Sequence, residues 1–225
     1  MEKVVIKLSG ELFASTESLK KVVEQIKKIS LKNQIGIVIG AGNIFRGEQH
    51  GKSLNLNPAN AHFAGMVATI INSLILKDLL IKQDLKVKIL SAIPVPTIAD
   101  NITQEKIDLS LNENKIIIFA GGTGNPFFST DTNAVLRALQ LNSSLVLKGT
   151  KTEGIFDSDP EKNKNAKLLK TLSFDDFLKN NLQVMDLTAI TLAKKNNLKI
   201  KVFNIFEKDS LLKVFKDPNF GSTIS

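Results

Sequence analysis

Short β-branched runs alternate with helix-periodic stretches along the whole chain, and no other feature limits the possible folds as much. Val4-Val5-Ile6-Lys7-Leu8, Ile35-Gly36-Ile37-Val38-Ile39, Val87–Leu90, Ile116–Phe119, Leu145–Leu147 and Ile200–Phe203 read as buried strands. Leu19, Val22, Val23, Ile26 and Ile29 recur at helical spacing. A loop is expected from Gly40 to Asn57. Asn57-Pro58 then has the cap and first-turn chemistry to open a long helix to about Ile81. Thr103–Leu111, Asp131–Leu141, Ser173–Leu178 and Asp186–Lys195 read as further helices. This alternation predicts a three-layer α/β/α sandwich around an open, mainly parallel twisted sheet. No repeat or linker divides the 225 residues, so one domain, 1–225, is expected.

Composition removes several chemistries. With no Cys there is no disulfide scaffold, no thiolate zinc site and no thiol nucleophile. With only His50 and His62, twelve residues apart, a multi-histidine metal site is excluded. Nothing at the N-terminus reads as a signal peptide. The nearest approach to a membrane span, Phe63–Leu76, is interrupted by Thr69, Asn72 and Ser73, so a soluble cytoplasmic protein without a membrane partner is expected. The net charge of +8 admits a nucleic-acid partner or a Lys-rich compositional bias. The lysines are spread over helices and loops, not clustered with aromatics, which favours bias and predicts no nucleic-acid partner. Arg occurs only at Arg46 and Arg137; all the other basic residues are Lys. Arg46 can grip an anion with its planar fork. For Arg137 a structural salt bridge or a subunit contact is expected.

In open α/β sheets ligands bind beyond the carboxyl ends of the strands. Four loops there are rich in Gly or Lys: Lys7-Leu-Ser-Gly10, Gly40-Ala-Gly-Asn43, Gly121-Gly-Thr-Gly-Asn125 and Lys148-Gly-Thr-Lys151. Together they supply backbone N–H groups and cations suited to a polyphosphate. Gly121–Asp131 runs from a strand to a helix start capped by Ser129 or Thr130, and its adjacent Phe127 and Phe128 suggest a cover over a ligand. Phe156 can face an adenine, and Asp159 can orient a ribose or Mg²⁺. Two look-alikes fail. Gly47–Ser53 has three residues between its glycines where a P-loop has four, and no immediate helix is expected after it. After Gly40-Ala-Gly42 a dinucleotide fingerprint would need a glycine at Phe45. Lysines, an arginine, glycine loops and aspartates, without a nucleophile, suit phosphoryl transfer.

KLSGE at Lys7–Glu11, GAGNIFRG at Gly40–Gly47, GTGNPFFSTD at Gly122–Asp131, KGTKTEGIFDSDP at Lys148–Pro160 and VMDLTA at Val184–Ala189 resemble, in order, the bacterial UMP kinases of the amino-acid-kinase family. The resemblance implies ATP-dependent phosphorylation of UMP to UDP, Mg²⁺ carried by ATP, UTP as an inhibitor and a homo-oligomer, a hexamer. It also implies an acceptor side mainly in the N-terminal part and an ATP side mainly in the C-terminal part. By position, Lys7, Leu8, Ser9, Gly10, Gly42 and Arg46 correspond to ATP-phosphate contacts, and Thr150, Phe156 and Asp159 to the adenosine side. Ala41, His62, Thr123, Gly124, Asn125, Pro126, Phe127, Phe128, Ser129 and Thr130 correspond to the UMP side. Asp131 and Asp186 match catalytic-centre carboxylates, and Lys148 is a further catalytic candidate for charge neutralisation.

Three departures stand out. Ala41 takes the place of a glycine, and His62 the place of a ribose-contacting Asp. Only Leu12–Ser18 separate KLSGE from the first helix, which predicts weak or absent GTP activation. Two alternatives are another small-molecule kinase of the family, acting on an acyl or isoprenoid phosphate acceptor, and a non-catalytic nucleotide or oxoanion binder on the same fold.

Overall fold

The computed structural model describes residues 1–225. In chain order it contains β1 (Glu2–Leu8), a 3₁₀ turn (Gly10–Ala14), α1 (Thr16–Ser30), β2 (Asn33–Ile39), α2 (Gly47–Ser53), α3 (Pro58–Ile81), β3 (Val87–Ser91), β4 (Asp100–Asn101), α4 (Gln104–Asn112) and β5 (Ile116–Ala120). Then follow α5 (Thr130–Leu141), β6 (Leu145–Thr150), β7 (Ile155–Phe156), β8 (Leu168–Leu169), β9 (Thr171–Leu172), α6 (Phe174–Lys179), α7 (Leu187–Lys195), β10 (Lys199–Asn204), α8 (Ser210–Lys216) and β11 (Ser222–Ile224). Nine strands form one sheet in the order β4-β3-β5-β2-β1-β6-β10-β11-β9. Only the β10–β11 pair in it is antiparallel. β7 and β8 form a separate antiparallel ribbon.

Period-2 alternation sorts the strand residues between two cores. Val4, Ile6 and Leu8 of β1, with Ile35, Ile37 and Ile39 of β2, face the layer of α1, α3 and α8. Val5, Val38, Ile117, Phe119 and Val146 face the layer of α4 to α7. The same alternation places Lys7 and Lys148 on the α5 side, because each lies two residues beyond a member of that second set.

β2 lies on one side of β1 and β6 on the other. This is the point where strand order reverses, and where an open α/β sheet holds its ligand.

Two expectations change. The stretch read as a loop before Asn57 contains α2, which Gly47 itself opens. Its glycines are poor helix formers, but α2 packs so closely on α3 that a Cβ at Gly51 would lie 2.7 Å from the Cβ of Ala61. Packing therefore overrides propensity there. The P-loop reading still fails on spacing, since these residues are the helix.

α3, at 24 residues, is long and apolar enough to cross a bilayer by length and composition alone. Thr69, Asn72 and Ser73, which interrupt its apolar run, are instead among its most buried side chains. Thr69 and Ser73 donate to carbonyls of their own helix, and Asn72 donates to Gly40 across the core. Phe63, Val67, Ile71, Leu74, Ile75 and Ile81 stand exposed along the opposite side of the helix.

Candidate active site

Lys7 of β1 and Lys148 of β6 are register partners on adjacent parallel strands. Like charges side by side on one face repel. Asp131, in the first turn of α5, reaches between them: Lys7 Nζ lies 3.1 Å from Oδ1, and Lys148 Nζ donates to Oδ2. The helix N-terminus adds a favourable dipole for that carboxylate. Burial works against charge on both members of the inner pair. For Asp131 that penalty is outweighed by the charges of Lys7 and Lys148, which hold its pKa at about 2. Lys148 is pushed down to about 8, because burial and the nearby Lys7 outweigh the attraction of a carboxylate that it shares. Lys7 is the member of this trio that reaches the cavity wall.

Asp186 caps α7 by accepting from Ala189 N at 2.8 Å. It also accepts from Thr132 Oγ1 at 2.9 Å and from Ser129 Oγ, so it docks the start of α7 on the start of α5. Of the two hydroxyls expected as the α5 cap, Ser129 is the one that accepts from the helix, at Asp131 N and Thr132 N.

The glycine loops pack backbone on backbone. A Cβ at Gly10 would lie 2.7 Å from Gly42 N and 2.8 Å from Gly40 O, so only glycine permits that approach. Asn72 of α3 fixes the second loop by donating to Gly40 O at 2.9 Å and pairing with the Asn43 amide. Around these loops lies a cavity of about 430 Å³ whose wall includes Lys7, Ser9, Gly10, Ala41, Gly42 and Arg46. Its far side is formed by His62, Met66, Thr69, Phe127, Phe128 and Thr130. The rings of His62 and Phe127 stand 4.9 Å apart. Ser129 also lines this cavity, whereas Thr123, Gly124, Asn125 and Pro126 do not. Thr123 instead closes the turn through Asn125.

Leu8 offers no side chain to the cavity. Its side chain is fully buried, and its carbonyl accepts from Gly40 N at 2.9 Å. Arg46, grouped in sequence with ATP phosphates, shares the cavity of His62 and Phe127 and pairs with Glu11 at 2.6 Å. Glu11 also pairs with Lys151 at 2.8 Å. Lys151 first and Arg46 second hold its carboxyl below the usual range, despite partial burial.

A second cavity, of about 550 Å³, lies past β6 and is lined by Gly154, Phe156, Asp159, Leu182 and Val184 among others. Phe156 and Asp159 therefore share one cavity. Thr150 lines neither cavity; its hydroxyl closes the turn to Thr152.

Arg137 is not in a salt bridge. It is 5% exposed and is held by Asn133 Oδ1, Gln140 Oε1 and Gly122 O, all neutral. Burial lowers its pKa to about 10. Sequence reasoning missed Glu11, Met66, Thr69 and Asn72. The available sign for the last two was their polarity inside an otherwise apolar helix.

The amino acid kinase family model matches residues 2–204. The uridylate kinase of Rickettsia canadensis (strain McKiel) is 39% identical over 231 aligned positions, covering 99% of this chain and 95% of that protein. The UMP kinase of Ureaplasma parvum superposes with a TM-score of 0.95 at 35% identity, covering 100% of this chain and 98% of that one. The UMP kinase of Bacillus anthracis has the same TM-score at 33% identity, covering 100% of this chain and 96% of its own.

Proposed function

We propose that this chain, which belongs to the amino acid kinase family, transfers the γ-phosphoryl group of ATP to UMP, giving ADP and UDP. One observation carries the reading. The Lys7–Asp131–Lys148 group stands at the strand-order reversal, directly behind a cavity walled by glycine loops and the aromatic Phe127–Phe128 loop.

UMP occupies the first cavity, against Ala41, His62 and the loop ending at Thr130. The nucleoside of ATP occupies the second, against Phe156 and Asp159. A UMP phosphate oxygen attacks the γ-phosphorus in line with the departing ADP oxygen. The transition state spreads negative charge over the transferred group, and catalysis consists of holding the partners in line and neutralising that charge. Lys7 supplies a cation at the cavity wall, and the amides of the Gly10 and Gly42 loops supply oriented donors. Asp131 keeps Lys7 aimed, and Lys148 adds positive field from behind. Arg46 stands where it can hold the phosphate of UMP, exchanging Glu11 for that anion.

No three His, Cys, Asp or Glu side chains gather as a metal cage. Asp131 is engaged by two lysines and Asp186 by a helix cap and two hydroxyls. This donor set fits Mg²⁺ that arrives on the phosphates of ATP and takes at most one or two carboxylates from the protein. Bound there, Mg²⁺ would neutralise phosphate charge, with Asp186 and Asp131 the carboxylates that would help to hold it.

The whole chain acts as one unit in the cytoplasm, assembled as a homo-oligomer. The exposed apolar side of α3 supports this, because it suits burial against a second copy. The resemblance to UMP kinases supports reading the assembly as a hexamer and UTP as an inhibitor.

The test is an ADP-release assay with MgATP against UMP, CMP, dUMP and AMP, with and without GTP and UTP. UMP-selective turnover is expected, with less than about a twofold response to GTP. Turnover without UMP preference, or none, would reject the reading.

A further inference from the structure

We infer that Thr69 of α3 and Arg137 of α5 are positioning residues for the acceptor loop, gripping its base at Gly121 and Gly122 from two sides. The inference rests on reading residues 122–130 as the loop that receives UMP.

β5 ends at Ala120, and the backbone turns at once through left-handed conformations at Gly121 (φ 73°) and Gly122 (φ 59°). Backbone groups in such a turn lose their ladder partners, and those that are buried need others. Gly121 N–H finds one in the Thr69 hydroxyl oxygen, 2.9 Å away and buried. That hydroxyl spends its own proton on Met66 O at 2.7 Å, so its lone pairs are left to face the loop. The hydroxyl therefore has a fixed direction, set by one helix and read by the loop of a distant strand.

Gly122 is held on its carbonyl side. Arg137 Nη2 lies 3.4 Å from Gly122 O, while Nε donates to Asn133 at 3.0 Å and Nη1 to Gln140 at 2.5 Å. The guanidinium lies 5.7 Å over the Phe119 ring. A buried cation served only by neutral acceptors is costly where an apolar side chain could pack. The arrangement also leaves Asn133 Nδ2 buried without a partner. Packing of α5 alone does not require either feature. The buried guanidinium is accounted for if it holds Gly122 O. Beneath the same turn, the Met66 side chain fills the space that a Cβ at Gly122 would enter. The aromatic residues that face the cavity, Phe127 and Phe128, extend from this clamped base.

The experiment compares Thr69→Val, Thr69→Ser, Arg137→Gln and the unmodified protein by steady-state kinetics and melting. Valine matches threonine in shape but orphans Gly121 N–H, so Thr69→Val is expected to raise KM for UMP about tenfold. KM for ATP should stay within about twofold, and Thr69→Ser should restore KM for UMP. Arg137→Gln is expected to show the same split. Equal rises in both KM values, or unchanged KM values with a lower Tm alone, would overturn the inference and leave both residues structural. Absence of UMP-dependent turnover by the unmodified protein would overturn the functional reading and this inference with it.

Discussion

Lys7 and Lys148 stand opposite each other on adjacent parallel strands, and the carboxylate of Asp131 spans the gap between them. Removing either end of this group differs from removing its middle. Lys7→Ala leaves Asp131 paired with Lys148, so the fold should persist with a nearly unchanged Tm. Turnover should fall by about 10²-fold or more, since Lys7 is the cation at the cavity wall. Asp131→Asn leaves two cations facing each other, one of them deeply buried. It should cost on the order of 3 kcal/mol as well as activity. Near-normal kcat in Lys7→Ala, or an unshifted Tm in Asp131→Asn, would contradict this account.

The same trio sets two pH responses. Asp131 has a folded pKa of about 2 against an ordinary 3.8, so its stabilisation is present above about pH 4 and lost as pH falls toward 2. Lys148 has a folded pKa of about 8 against an ordinary 10.5. Between those values the unfolded chain binds more protons than the folded one, so this group makes stability rise with pH above about 8. Its catalytic contribution runs the other way, because the neutral amine offers no charge to the transferred phosphoryl group. kcat should therefore fall above about pH 8 while the contribution of Lys148 to Tm improves. In Lys148→Met both slopes should flatten. Parallel slopes for kcat and Tm in the unmodified protein would refute the opposition.

Much of this organisation was legible in the residues alone, for a physical reason. Parallel strands buried on both faces appear as unbroken β-branched runs, and their ends mark the ligand edge. Lys7, Gly40–Gly42, Asp131 and Lys148 are visible by that rule. Elements set by tertiary contact are not. α2 carries two glycines, poor helix formers, and its close packing on Ala61 has no sign in the local sequence. The short strands β7 to β9 and β11 owe their existence to pairing partners distant in sequence. Leu8 carries no sign that its carbonyl serves Gly40. Arg46 could be placed in a phosphate loop by its neighbours, but its position in the cavity of His62 follows from the path of α2 and α3. Thr69 and Asn72 look like interruptions of an apolar helix until the loops they hold are seen.

The exposed side of α3 yields a third expectation. Val67 and Ile71 are both 47% exposed, one turn apart, in line with Phe63 and Ile75. Burying the exposed half of such side chains against a second copy stabilises by roughly 1 kcal/mol each. Light scattering on the unmodified protein should give a mass several times 24.7 kDa. Val67→Glu with Ile71→Glu should reduce it by introducing unpaired charges into the contact. An unchanged mass in the double variant would exclude α3 from the interface.

Phe127 provides the sharpest probe of the acceptor cavity. Its backbone is left-handed (φ 70°), the residue is 66% exposed, and its ring stands 4.9 Å from that of His62. A bulky residue in that conformation costs on the order of 1 kcal/mol or more, and so exposed a ring recovers little of it by burial. The free protein thus gains little from phenylalanine here, whereas a ligand lying between the loop and α3 would gain a cover. Phe127→Ala keeps the strained backbone and removes the cover, so KM for UMP should rise about five- to tenfold with Tm almost unchanged. Phe127→Gly should lose the same affinity while being at least as stable as the alanine variant, since glycine adopts positive φ freely. If the two rings act as a unit on the substrate, His62→Ala should weaken UMP binding by a similar factor. The double variant should then be little worse than either single one, a coupling that the four KM values measure directly. Strict additivity would mean that the two side chains contact UMP independently, and unchanged KM values in both single variants would remove them from the acceptor site.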